Sequence, residues 1–302
     1  MEVYLKRIDD LESNIRELLE QLSWRDTIGN GDRVMIKPNF CTHRLRNGVT
    51  TNMELLGHII AILKERTQDV FIGETHSFGK DFKQLEANFD LDCDLVNLSD
   101  EETHAIDSPW GTLNLPKIAL DSKIINAPVL KTHSLTGVTF GIKNLFGLLQ
   151  DKDKSKYHSV IDDLLVYLLG FLKPCINILD ASYVMDGYGP ISGRVRKTDF
   201  LLASKDVVSL DRAVCKIIGM EPSRIKHIHL ASEKYGATDE LVSNFELNLD
   251  LEVPVRGNIE KLGTLLLEHG PTRKLLMHPL VYPYANKIKN LLKKFHTSEL
   301  KH

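Results

Sequence analysis

Cysteine is sparse in this chain and never clustered. Cys41, Cys93, Cys175 and Cys215 stand singly along 302 residues, with no CxxC pair among them. Zinc-ribbon and ferredoxin-type spacings are therefore excluded, and no iron–sulfur cluster is expected. Scattered thiols and the lack of a secretory leader point to a reducing cytosol, so the expected location is cytoplasmic. Long apolar runs are missing too. The most apolar stretch, 160–172, contains Asp162 and Asp163. At ~13 residues it falls short of the ~20 that a membrane span requires, so a buried amphipathic helix is expected and no span. There is no basic excess either: 38 Lys and Arg face 41 Asp and Glu, for a net charge of -3. Nucleic acid is not an expected partner on that balance.

What is present is an ordinary globular composition, 42% hydrophobic and 26% charged, sufficient for one large or two modest domains. Between residues 30 and 220, short apolar runs alternate with helical spacings. That alternation predicts right-handed βαβ units. The expected fold is α/β, a mostly parallel doubly wound sheet with a small C-terminal helical subdomain. Strands are expected at Val34–Lys37, Val70–Ile72, Leu95–Leu98, Lys123–Asn126, Asn177–Asp180 and Phe200–Ala203, and near 244–249. Helices are expected over 10–22, 53–66, 137–149, 158–172 and 206–218, with a hairpin at 104–115. Residues 151–156 read as a charged surface loop. The expected division is an α/β domain over 1–235 and a mainly helical extension over 236–302 that ends in a basic helix near 286–294.

Polar groups collect where predicted strands end: Lys37 and Asn39, Glu74 and His76, Lys131 and His133, Asp180 and Asp186. Ligands of open α/β sheets bind at that edge. The segment from Asn126 to Leu149 is the densest, with Lys131, His133, Ser134 and Thr136 in an expected loop and Gly141, Lys143 and Asn144 in the following helix. Lys143 lies between Ile142 and Leu145-Phe146, so it is expected to need an anion, an amide partner or a covalent role. Lys37 and Lys131 suit an anion. His133 suits a general base or a ligand beside Lys131, Ser134 and Thr136, although alone it reads as an ordinary loop histidine. His76 reads equally as a capping residue, and His158 as an exposed residue at a helix start. The loop Gly187–Gly193 would let backbone approach an anion, and reads equally as a turn. Asp180 suits the orientation of a lysine or histidine of the site. Asp211 reads as a local partner of Arg212 or Lys216.

Taken in order, Val34-Met-Ile-Lys-Pro-Asn39, Ile72-Gly-Glu74, Asn126-Ala-Pro-Val-Leu-Lys-Thr-His133, Thr136-Gly-Val-Thr-Phe-Gly-Ile-Lys-Asn-Leu-Phe-Gly147, His158, Leu179-Asp-Ala181, Met185-Asp-Gly-Tyr-Gly-Pro190 and Ser209-Leu-Asp211 resemble the DUF-362 family over roughly residues 30–230. Many members carry a ferredoxin-like module. Without a cysteine cluster, that module and its redox role are not expected here. A more remote resemblance, carried by His133, Gly137, Gly141, Lys143 and His158, is to nickel-pincer lactate racemase. It implies proton transfer by His133, with His76 as a second catalytic histidine. It also implies a pincer nucleotide joined to Lys143 beside Gly141 and Asn144, and nickel on His158.

Together these readings predict an enzyme acting on a small carboxylate-type anion, racemase-like or an oxidoreductase. His133 and His76 would transfer protons, and Lys37, Asn39, Glu74, Lys131, Thr136 and Asp180 would line the anion site. The alternative is a non-catalytic nucleotide- or phosphate-binding or redox-accessory protein that uses the loop Gly187–Gly193.

Overall fold

The computed structural model describes residues 2–77, 80–187 and 189–252. Its strands are β1 (Val3–Arg7), β2 (Val34–Pro38), β3 (Val70–Glu74), β4 (Asp94–Asn97), β5 (Thr103–Ser108), β6 (Gly111–Pro116), β7 (Lys123–Ala127), β8 (Val129–His133), β9 (Gly137–Thr139), β10 (Ile176–Asp186), β11 (Arg194–Ser204) and β12 (Leu241–Val242). The main sheet runs β12-β1-β11-β10-β7-β2-β3-β4, with β8 on β10 and β9 on β8, while β5 and β6 form a separate hairpin. From β10 through β7, β2 and β3 to β4 every pairing is parallel. On the other side, β11 lies antiparallel between β10 and β1.

Strands β2 and β3 are buried at every position, as parallel strands covered on both faces must be. Their period of two sends alternate side chains into two cores. Val34, Ile36, Val70, Ile72 and Ile125 join the core that contains Trp24 and the helices Leu11–Gln21 and Met53–Leu63. Met35, Phe71 and Ile124 join the opposite core, under the helices Ile161–Leu168 and Val207–Ile217. Each fully buried aliphatic side chain contributes about 1.5–3 kcal/mol. Lys37 and Asn126 share the second face, two residues beyond Met35 and Ile124, and they are register partners at the end of β2 and β7.

Helix starts follow sequence-coded caps. Asp10 accepts from the Ser13 amide, Asn52 from Glu54, and Asp206 from Val208 and Ser209.

Several expected elements differ. Residues 131–133 belong to β8 rather than to a loop, because β9 folds back on them in antiparallel register. Gly137, at φ +79°, supplies the turn, a left-handed conformation that glycine adopts without penalty. The expected helix over 137–149 is thus a strand, a short helix Gly141–Asn144 and a 3-10 turn Leu145–Leu148. The expected helix over 158–172 is a 3-10 segment Lys154–Val160 followed by Ile161–Leu168. No strand forms over 244–249; β12 pairs with β1 instead. Of the expected C-terminal extension, residues beyond 252 lie outside the described ones, including the basic helix. Among the described residues no helix is long and apolar enough to cross a membrane.

Candidate functional site

The chain order of strands reverses between β2 and β7: β3 and β4 extend one way from β2, then β7 and β10 extend the other. At such a reversal the loops leaving the two strands diverge and open a crevice at their carboxyl ends. The residues there are polar and include five lysines, of which Lys37, Lys80 and Lys131 are buried and Lys143 and Lys154 half-buried.

Glu74 is the carboxylate to which this cluster pairs. It ends β3 and is 3% exposed. Its Oε2 lies 3.0 Å from the Lys37 Nζ and its Oε1 3.2 Å from the Lys80 Nζ. The backbone N–H groups of Thr75 and Phe40 also donate to it, at 2.9 and 3.3 Å. Burial pushes its carboxyl up, but Lys37, Lys80 and Lys154 outweigh burial and hold it below the ordinary value. Lys37 donates additionally to the Pro38 carbonyl and Lys80 to the Phe40 carbonyl. Lys154 donates to the Thr75 hydroxyl at 2.5 Å and to the carbonyls of Gly147 and His76. Burial, opposed by Glu74, brings Lys154 down to about 7.

Lys131 is fully buried, at 0% exposure, and has no carboxylate partner among the described residues. Its Nζ donates to Asn39 Oδ1 at 2.8 Å, the Val49 carbonyl at 2.6 Å, the Pro190 carbonyl at 3.4 Å and Cys41 Sγ at 3.4 Å. Dipoles alone solvate this ammonium, and burial lowers its pKa.

Asn39 continues inward as a file of amides. Asn39 donates to Asn144, Asn144 to Asn126 and to the Lys37 carbonyl, and Asn126 to Asn177 and to the Gly141 carbonyl. Asn177 closes the file on the Ser204 carbonyl. All four amides are buried, and buried amides persist only when bonded in this way.

Lys143 differs from the other four. It projects from the short helix Gly141–Asn144, is half-buried, and stands 4.7 Å from the centroid of the Phe146 ring. Among the described residues its ammonium has no hydrogen-bond acceptor. Burial first, and Lys131 second, bring it down to about 8, against weak support from Asp162. The helix that carries it is pinned by Asp211, whose carboxylate accepts the N–H groups of Gly141 at 2.7 Å and Ile142 at 2.9 Å. Asp211 is therefore a buried anchor of the site helix, not the surface partner of Arg212 or Lys216. A Cβ at Gly141 would sit 2.5 Å from Val207 and 3.0 Å from Asp211, so glycine permits this close approach.

The expected site residues divide. Lys37, Asn39, Glu74, Lys131, Gly141 and Asn144 form one connected network. His133 ends β8 with its Nδ1 accepting from the amides of Leu135 and Thr136, at 3.1 and 3.4 Å. That fixes the proton of the neutral ring on Nε2. The Thr136 hydroxyl donates to the Val138 carbonyl and is held within the β8–β9 hairpin. Asp180 accepts from the Asn52 and Ser182 amides and the Ser182 hydroxyl, tying β10 to the helix Met53–Leu63. His76 packs on Phe82, ring centroids 5.6 Å apart, and its carbonyl accepts from Lys154. His158 is half-buried in the 3-10 segment Lys154–Val160. Among the described residues no group of three or more His, Cys, Asp or Glu could hold a metal ion. In the glycine loop, the N–H groups of Gly187 and Gly189 are committed to backbone carbonyls, and the Pro190 carbonyl faces Lys131. These are not free donors for a phosphate.

The sequence reading missed Lys80, Lys154, Cys41, Asn126, Asn177 and Asp211. Asn126 and Asn177 carried a usable signal, since an amide inside an Ile- or Leu-rich parallel strand must find a bonded partner.

Compared with known proteins, residues 34–216 match the family described as a domain of unknown function, DUF362. The thylakoid-associated protein sll1697 of a Synechocystis strain is 30% identical over 242 residues, covering 75% of this chain and 75% of its own. A crystal structure of a Thermotoga maritima protein aligns with a TM-score of 0.38 at 11% identity, over 74% of this chain and 59% of that one. A likeness of that degree carries no argument about the site.

Proposed function

This chain belongs to the DUF362 family, and from the charge of its crevice we propose that it is an enzyme that binds a small carboxylate-type anion at the carboxyl edge of a doubly wound sheet. The observation that carries the reading is an imbalance of charge. Lys37, Lys80 and Lys154 act on the Glu74 carboxylate, and Lys131 and Lys143 add further positive charge felt through Lys37. Buried cations without counter-charges are costly, and a bound anion offsets that cost.

Within this reading Lys143 meets the ligand first, because its ammonium is unclaimed. Lys131 and Lys37 act mainly through their field, since Lys131 already spends its donors on four acceptors. His133 would serve through Nε2–H as a proton donor, its Nδ1 being occupied. His76 is the second candidate for proton transfer, placed one residue beyond Thr75, which accepts from Lys154. The commitment of the Gly187 and Gly189 amides weighs against the phosphate-cradle alternative.

Calorimetric titration of the full chain with oxalate, lactate and phosphate tests the proposal. Saturable binding of a small carboxylate, weakened at least about ten-fold (~1.4 kcal/mol) in Lys143→Met, is expected. Absence of binding by every anion in the panel would refute it.

A further inference from the structure

Four of the five clustered lysines donate hydrogen bonds to, or pair with, carbonyls, a hydroxyl, an amide, a thiol or Glu74. Among the described residues, Lys143 does not. Its Nζ stands over the Phe146 ring, the residue is half-buried, and its helix is pinned by Asp211. Lys131 and Lys37 both repel its charge. Burial, adjacent like charge and no acceptor among the described residues, against the cation–π contact with Phe146, turn this lysine from a cation toward an amine nucleophile.

We infer that Lys143 forms an imine with the carbonyl carbon of a 2-oxo acid whose carboxylate lies in the field of Lys131 and Lys37. The inference rests on the anion-binding reading above and names the ligand class for it.

The step balances without a further reactant. The neutral Lys143 amine donates its electron pair to the carbonyl carbon, forming the C–N bond while the carbonyl oxygen takes up a proton. The resulting carbinolamine loses its hydroxyl as water, and the C=N bond forms. Protonation of that nitrogen gives an iminium that withdraws electrons from the neighbouring carbon, which eases loss of a proton there. The low basicity of Lys143, about 8, supports the step. At about pH 7.5 its neutral fraction exceeds that of an ordinary lysine, with pKa about 10.4, by roughly 200-fold.

The test incubates the full chain with pyruvate and cyanoborohydride, which reduces the imine to a stable secondary amine, followed by peptide mapping. Oxalate binding is measured in parallel by calorimetry. The expected result is an adduct on Lys143, formed at least about ten-fold faster than on surface lysines, suppressed by oxalate, and absent when acetone replaces pyruvate. Lys143→Arg should yield no adduct there. Oxalate binding without a Lys143 adduct would overturn the imine and leave the anion reading standing. Diffuse labelling of many lysines without protection by oxalate would also overturn it. Absence of both binding and adduct would remove both proposals.

Discussion

Replacing Glu74 by glutamine removes one charge and almost no volume, and its effect can be worked from the contacts. The carboxylate faces Lys37 at 3.0 Å and Lys80 at 3.2 Å, and all three side chains are nearly inaccessible. Glutamine keeps one acceptor oxygen, so the Thr75 amide can stay satisfied, but two buried ammoniums lose their counter-charge. Removing one partner of a buried ion pair costs about 3–5 kcal/mol. For a domain of this size that corresponds to a fall in Tm of about 6–20 °C. The deficit should depend on pH in two ways. In the wild type the depressed Glu74 carboxyl stabilises the fold above its ordinary pKa, and this contribution is lost as pH falls through its lowered folded value. At high pH the deficit of the variant should shrink, because Lys80 and Lys154 have lowered pKa values and shed their uncompensated protons more readily than ordinary lysines. Urea unfolding at about pH 6 and about pH 9 measures the second of these. A Glu74→Gln variant within about 0.5 kcal/mol of the wild type at the lower pH would refute the account of the cluster as a strained assembly of cations around one carboxylate.

Further outcomes follow from other contacts. Lys154, brought down to about 7, binds protons less tightly in the folded than in the unfolded chain. Stability should therefore rise with pH between about 7 and about 10, and Lys154→Met should flatten that rise in a urea series. Asp211 is raised to about 7 by burial, so its stabilising contribution is present at acid pH and lost as pH rises through about 7; Asp211→Asn should remove this slope. Asp211→Ala leaves two buried N–H groups unpaired and should cost about 2–5 kcal/mol by chemical denaturation. A Cβ at Gly189 would stand 1.9 Å from the Thr132 carbonyl oxygen. Gly189→Ala should displace the Pro190 carbonyl from Lys131 and lower both Tm and anion affinity, with unchanged values in both arguing against a closed loop over that lysine.

The sheet was legible because parallel strands buried on both faces leave apolar runs such as Val34-Met-Ile and Val70-Phe-Ile, and the polar residues that end them were legible by position alone. The hairpin β8–β9 was not. Lys131-Thr-His-Ser-Leu-Thr-Gly has the composition of a loop, and pairing with β9 and with β10, which is distant in sequence, makes a strand of its first half. Lys154 was illegible for a related reason. In Asp151-Lys-Asp-Lys-Ser-Lys the lysines alternate with polar residues, and no periodicity tells which one turns toward Glu74. Lys156 takes the opposite course and pairs with Asp151 at the surface. Asp211 was misassigned because its partners are backbone amides 69 and 70 residues away, and local spacing favours the neighbouring Arg212.

The file of buried amides has a direction. An asparagine side chain can be turned end for end, but here each is fixed by a partner with only one hydrogen-bonding sense. The carbonyls of Lys37, Gly141 and Ser204 only accept, and the Lys131 ammonium only donates. Every amide oxygen in the file therefore points back toward Lys131 and every amide nitrogen away from it, so the dipoles add and spread that buried charge across three strands to the Ser204 carbonyl. Such a file is inherited as a whole. A carboxylate substituted at any rung would have no N–H to pass on, and the rungs on either side would have to turn with it, so Asn39, Asn126, Asn144 and Asn177 can change only in concert.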